Sequence, residues 1–206
     1  MIKNRWLIPA LALSAQLSAQ VPSVTSPEAL SRPPLNSERI AQEFGNYGVA
    51  ILESDDRVRV SNLYSLHGET KICRTYAVVL YPDAADAAVS VEHRAILSGQ
   101  SIGAVFTRRG WAIEKVNRYF GELPSSGKVA GLMGGILPQP LAVHIYDLVV
   151  SREGKSLTYA TIAEIHHPDY LSIVELRGLY GEVSAAAAGA DAARESMLAL
   201  IRQKMK

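Results

Sequence analysis

The residues of this sequence best suited to bind a small molecule are two oppositely charged ones that lie in strand-like segments. Arg74 lies in the run from Ile72 to Tyr81, which is rich in β-branched and aromatic residues, and Glu164 lies in the run from Leu157 to Ile165. A charge on an apolar strand face is costly unless another group compensates it. The two side chains therefore either form a buried ion pair, which spacing alone slightly favours, or flank a pocket. In a pocket, Arg74 would bind a carboxylate and Glu164 a hydroxyl or ether oxygen.

Metal and nucleophilic chemistry have weaker support in the sequence. Five histidines are present, but no two of them have the four-residue spacing of a helical zinc site. His166 and His167 are adjacent, which directs their side chains to opposite faces of a strand. Cys73 is the only cysteine, and its position within a strand indicates a small buried apolar residue rather than a reactive thiol. We therefore expect neither a metal nor an organic cofactor.

The composition indicates a globular protein of ordinary size. A chain of 206 residues with 48% hydrophobic residues is long enough to fold around its own core. The formal net charge is +1, and Lys and Arg form no cluster or stripe along the sequence. Because binding to nucleic acid depends on such basic surfaces, we expect no nucleic-acid partner.

The N-terminal residues 1–19 have the organisation of a secretory signal peptide. Lys3 and Arg5 precede an apolar core from Trp6 to Leu13, and small residues follow up to Ala19. This core is too short to span a bilayer. We therefore expect cleavage after Ala19, a periplasmic or secreted location and no stable membrane insertion of the mature chain. Residues 20–36, which include four prolines, are predicted to be an extended linker.

The elements that must position Arg74 and Glu164 follow from turn signals and hydrophobic periodicity. The predicted fold class is α+β: a single antiparallel sheet over residues 37–183, with inserted helices, and a C-terminal helix over residues 184–206. Strands are predicted at 49–53, 58–66, 72–81, 111–120, 141–150 and 157–165. Helices are predicted at 38–44 after a Ser37 cap, around 89–97, and at 102–109 after a Ser101 cap. Residues 121–140 are predicted to be a connection with one helical turn or flap.

The order of three short motifs resembles that of chorismate lyase and of the UTRA-like effector-binding domains of GntR-type transcription regulators. The motifs are Arg74-Thr75 followed by YAVVLYP, the segment LSGQSIGAVF from Leu97 to Phe106, and the segment EIHHP that begins at Glu164. The opening SERIAQEFGNYGVAILE also resembles the first helix and strand of that family. The similarity covers about residues 37 to 171.

This resemblance implies a ligand cavity between a twisted antiparallel sheet and its helical flaps. By resemblance, Arg74 and Glu164 are the catalytic pair: Arg74 anchors a carboxylate and Glu164 contacts the far end of the ligand. Tyr76, which shares the strand of Arg74, and the turn residues Gly99, Ile102 and Gly103 would line the pocket.

Three functions are compatible with these expectations. The first is an exported lyase that cleaves chorismate, or a similar cyclic carboxylate, into hydroxybenzoate and pyruvate without a cofactor. The second is a non-catalytic periplasmic module that binds a small cyclic or aromatic carboxylate. The third is a protein-interaction module whose cavity is filled by side chains.

Overall fold

A six-stranded antiparallel sheet is the centre of the protein in the computed structural model, which describes residues 34–183 and 191–206. The spatial order of the strands is β1-β2-β3-β6-β5-β4, and every neighbouring pair is antiparallel. The predicted α+β class with one antiparallel sheet is therefore confirmed. The strands are β1 (Gly48–Ser54), β2 (Val58–His67), β3 (Thr70–Leu80), β4 (Ala112–Pro124), β5 (Pro140–Arg152) and β6 (Lys155–His166).

Six α-helices accompany this sheet within the described residues. As predicted, two of them are inserted between β3 and β4, after a 3₁₀ turn at Ala87–Val89. The helix that follows β6 directly, Ile173–Tyr180, was not predicted, although Ser172 and Glu175 form a capping box at its start. The helices are α1 (Asn36–Phe44), α2 (Ser90–Leu97), α3 (Ile102–Arg108), α4 (Gly127–Leu132), α5 (Ile173–Tyr180) and α6 (Asp191–Lys204).

The helices cover both faces of the sheet. Val129 of α4 and Ile201 of α6 pack against one face, where Tyr76 and Val78 of β3 are buried. Helices α1, α2, α3 and α5 cover the other face, in two apolar clusters. Because side chains alternate along a strand, neighbouring residues enter different layers, as Val78 and Val79 of β3 do. We call the side covered by α1, α2, α3 and α5 the cavity face.

The start of α1 differs from its prediction. The helix begins at Asn36, with Leu35 rather than Ser37 at the cap position. The reason is that Glu38 accepts a hydrogen bond of 2.7 Å from the backbone N–H of Leu35, which moves the first turn towards the N-terminus. Asn36 consequently lies in the first turn and is buried.

Other predictions fall outside the described residues. These are the signal peptide at 1–19, the linker up to residue 33, and residues 184–190 of the C-terminal helix. Of the helices that are described, none combines the length and apolar character required to cross a membrane.

Candidate ligand-binding site

A small cavity lies over the middle of the sheet on the cavity face. Its volume is about 80 Å³, several times the space that one water molecule requires. Each of the six strands contributes at least one lining side chain, and the roof comes from residues at the starts of α1 and α3 and from Tyr47. The polar lining residues are Asn36, Ser37, Tyr47, Arg59, Ser61, Ser101, Lys115, Tyr146 and Glu164.

A glycine allows the two parts of the roof to meet. A Cβ atom at Gly103, near the start of α3, would lie 2.6 Å from the Cδ1 atom of Leu35. No real Cβ contact is that short, so a larger residue at position 103 would push Leu35 aside. Gly103 therefore matters for the close approach of α3 to the segment before α1, and both residues line the cavity.

The floor of the cavity contains a buried ion pair. The Nζ atom of Lys115 in β4 lies 3.0 Å from Oε2 of Glu164 in β6, and their side chains are 13% and 6% exposed. Burial disfavours both charges, but their mutual attraction prevails: the pKa of Glu164 is lowered and the pKa of Lys115 is raised. Lys115 also lies 4.2 Å from the ring centroid of Tyr146 and 4.8 Å from that of Tyr180. At neutral pH the cavity floor therefore carries a fixed ammonium and a fixed carboxylate.

Asn36 joins this ion pair to the roof. Its Nδ2 group donates to Oε1 of Glu164 at 3.1 Å and to Oγ1 of Thr75 at 3.0 Å. Its Oδ1 atom accepts a hydrogen bond of 2.6 Å from the hydroxyl of Tyr170. A side chain in the first turn of α1 thereby connects the sheet floor to the segment after β6, which orients α1 over the cavity.

Replacing Asn36 by alanine is expected to lower the free energy of unfolding by about 1–3 kcal/mol, because Glu164 and Tyr170 lose buried hydrogen bonds. Urea unfolding measures the change. Gln42→Ala, at an exposed position of the same helix, is the control and is expected to stay within about 0.5 kcal/mol of wild type. If Asn36→Ala is as stable as Gln42→Ala, the network does not hold α1.

Two buried histidines lie beside Glu164. His144 is paired across the strands with Glu164, and His166 lies two residues further along β6. Burial lowers the pKa of His166 to about 4, although Glu164 opposes this change. Burial and the charge of Lys115 lower the pKa of His144 to about 2. Both rings are therefore neutral at neutral pH.

The hydrogen bonds of His166 and His167 confirm that they point to opposite faces. Nδ1 of His166 lies 3.1 Å from Oγ1 of Thr75 in the buried network, whereas Nε2 of His167 lies 3.1 Å from the carbonyl oxygen of Met133, which follows α4. Among the residues that the structure describes, no group of three or more His, Cys, Asp or Glu side chains could hold a metal ion.

Arg59 in β2 is the second basic residue of the cavity. It is 2% exposed, and its Nη1 group donates to the carbonyl oxygens of Ile96 and Gln100, both at 2.9 Å. These two carbonyls lie at the end of α2 and in the turn that leads to α3. The guanidinium therefore fixes this turn against the sheet while it remains part of the cavity wall.

The structure brings together only part of the predicted site. Glu164, Ile102 and Gly103 line the cavity, but Arg74 and Tyr76 do not. Gly99, the second residue after α2, has a φ of +105° and also lies outside the lining.

Arg74 does not line the cavity, and a β-bulge determines where its side chain lies instead. Leu63 pairs with Thr75 while Tyr64 pairs with Cys73, so Arg74 is an extra residue in β3. Its side chain donates to the Ser65 hydroxyl at 2.8 Å and lies 3.8 Å from the Phe44 ring centroid, away from the cavity. Strict alternation would have placed Arg74 on the face of Tyr76, opposite Glu164, whereas the extra residue directs it towards Phe44 of α1, outside the cavity lining.

Tyr76 lies on the opposite face from Glu164. It pairs with Ile165, whereas Ala77 pairs with Glu164, so Tyr76 and Glu164 point to different layers. Its hydroxyl donates to the carbonyl oxygen of Lys204 at 2.7 Å, which connects β3 to α6. We therefore correct its assignment from the pocket to the α6 layer.

Sequence reasoning missed Arg59, Lys115 and Asn36. Arg59 lies between Val58 and Val60. It is therefore a charged residue in an apolar strand, the same pattern that identified Arg74. Lys115 follows Glu114, so the segment resembled a solvated strand. Asn36 was assigned to the linker, and nothing in its local sequence indicated a buried side chain.

No protein-family model matches the sequence, and no curated protein matches it either. Fold and site together define an α+β protein with a small cavity, containing a buried ion pair, on one face of an antiparallel sheet.

Proposed function

We propose that the protein binds a small cyclic or aromatic carboxylate in the cavity above Glu164. The observation that carries this proposal is the charge of the lining: Arg59 and Lys115 are basic, and Glu164 is the only acidic side chain among the described lining residues. Burial of an uncompensated charge is unfavourable, so an excess positive charge inside the protein favours an anionic ligand. A monocarboxylate restores neutrality.

The apolar part of the lining suits a ring in chemistry, and since the cavity volume of about 80 Å³ is smaller than the roughly 150 Å³ of a cavity that holds benzene, the roof must move outwards when a ring binds. Apolar side chains from several strands and from α3 face the cavity, and this combination of apolar walls with a few polar groups is typical of small-molecule sites. The hydroxyls of Tyr47, Ser61 and Ser101 can hydrogen-bond to a ring substituent. The apolar residues that line the cavity are Leu35, Val49, Leu63, Ala77, Val79, Ile102, Ile113, Leu148 and Ile162.

Binding without turnover is the function that we favour. Glu164 and Lys115 hold each other in the charged form, and their pKa values are displaced in opposite directions, away from neutrality. A general acid or base works best when its pKa lies near the working pH. Given the signal peptide expected at residues 1–19, this binding would take place in the periplasm or outside the cell.

Calorimetry with 3- and 4-hydroxybenzoate tests the proposal, together with an assay of pyruvate release from chorismate. We expect one ligand to bind per chain and no pyruvate to form. Pyruvate release that disappears in Glu164→Ala would show the lyase activity that the resemblance implies. If neither carboxylate binds, the proposal is wrong.

A substitution that fills the cavity tests whether the ligand binds there. Ala77 is 5% exposed and pairs across the strands with Glu164, so Ala77→Leu places a larger side chain in the cavity. We expect it to weaken binding at least about tenfold, the equivalent of about 1.4 kcal/mol. Ala112→Leu makes the same change at an exposed strand position and should bind like wild type. Equal affinity of the two variants would place the ligand elsewhere.

A further inference from the structure

We infer that Arg59, rather than Arg74, holds the carboxylate of the ligand, an inference that rests on the proposed function. Arg59 is buried and lines the cavity, whereas Arg74 lies at a bulge in β3 and outside the lining. Both side chains are arginines on neighbouring strands. Their different surroundings therefore decide which of them is available to an anion in the cavity.

The hydrogen bonds of Arg59 leave one edge of its guanidinium available. Nη1 is occupied by the carbonyls of Ile96 and Gln100. Nε is buried without a hydrogen-bond partner, and no bond from Nη2 to a carbonyl or carboxylate of the described residues accompanies those of Nη1, although the Tyr81 hydroxyl lies close to the guanidinium. Nε and Nη2 point in the same direction, and this edge of a guanidinium can bind both oxygens of a carboxylate. The two carbonyls hold that edge in a fixed orientation.

The charge of Arg59 also lacks a counterion. Within the described part of the chain, no carboxylate lies within the 4.0 Å of an ion pair. The phenol of Tyr81 is close to this guanidinium: the charge of Arg59 and its proximity as a hydrogen-bond donor both oppose the rise that burial causes in the pKa of Tyr81. A phenol is neutral, however, and cannot compensate a buried cation. A ligand carboxylate would supply both the missing charge and the missing acceptors.

Calorimetry of the full chain with 4-hydroxybenzoate and with its neutral isostere 4-hydroxybenzamide tests the inference. We expect wild type to bind the acid about 10- to 100-fold more tightly than the amide, the range typical of a charged hydrogen bond. The Arg59→Met variant should bind the acid and the amide with about equal affinity. Arg57→Met removes an exposed arginine two residues earlier and is expected to keep the full preference.

The outcomes separate this inference from the proposed function. If wild type binds acid and amide equally, the role of Arg59 is wrong while ligand binding in the cavity stands. If Arg74→Met abolishes the preference and Arg59→Met retains it, Arg74 is the anchor. If neither compound binds, the proposed function fails and this inference fails with it.

Circular dichroism would reveal whether Arg59→Met folds. If it does not, a second variant still tests the inference. Arg59→Lys keeps the positive charge but cannot bind a carboxylate through two fixed N–H groups. We expect this variant to bind the acid more tightly than the amide, but by a smaller factor than wild type does. A folded Arg59→Lys protein with the wild-type preference would contradict the inference.

Discussion

Replacing Lys115 by methionine is expected to lower the free energy of unfolding by about 3–5 kcal/mol, since Glu164 would stay buried without its cation. The two side chains are 13% and 6% exposed and their charged atoms are 3.0 Å apart. Restoring neutrality should recover part of the loss. We therefore expect Lys115→Met combined with Glu164→Gln to be more stable than Lys115→Met alone. Urea unfolding of wild type, Lys115→Met, Glu164→Gln and the double variant measures the coupling.

An exposed ion pair of similar geometry provides the control. Nζ of Lys155 lies 2.8 Å from Oδ1 of Asp86, but these side chains are 50% and 40% exposed. Water screens such a pair, so Lys155→Met should cost no more than about 1 kcal/mol. If Lys115→Met and Lys155→Met destabilise the protein equally, the pair in the cavity is not effectively buried.

Acidification from pH 7 to pH 4 is expected to destabilise the protein strongly through its two buried histidines. The pKa of His166 is lowered from 6.5 to about 4 in the folded protein, and that of His144 to about 2. Below pH 6.5 the unfolded chain therefore binds protons that the folded chain does not. The free energy of unfolding must fall as the pH falls through this window. His166 alone should contribute a loss of about 3 kcal/mol by pH 4, at about 1.4 kcal/mol per pKa unit.

The slope of stability against pH isolates this contribution. His166→Gln keeps a polar side chain beside Thr75 but cannot titrate. We expect the variant to lose less stability than wild type between pH 6.5 and pH 4, by about 3 kcal/mol. Urea unfolding at several pH values gives both curves. Parallel curves for the variant and wild type would mean that His166 is protonated equally in the folded and unfolded chains.

The sheet was predictable because its strands are separated by short turns and carry β-branched and aromatic residues. The hairpin of β5 and β6 and the helices between β3 and β4 are local features, so local sequence revealed them. Helix α5 also had a local signal, the capping box of Ser172 and Glu175, which was overlooked.

The site was harder to predict because it depends on register. The alternation of side chains along β6 predicted that Glu164 lies on an apolar face, and in the structure it lines the cavity beside Ile162. Parity within β3 could not show that the face shared by Arg74 and Tyr76 is opposite that of Glu164, because this depends on the register of β3 against β6. A single inserted residue in β3 then moves Arg74 off that face as well. Lys115 in β4 can reach Glu164 in β6 because both strands pair with β5, which lies between them. No local pattern encodes such a long-range contact.

A crystal structure of the full chain with 4-hydroxybenzoate tests the central claim most directly. We predict that the ring lies in the cavity between α1, α3 and the sheet, with both carboxylate oxygens within about 3 Å of Nε and Nη2 of Arg59. The ion pair of Lys115 and Glu164 should be intact beneath the ring. A ligand bound at Arg74 with the cavity empty would contradict the account.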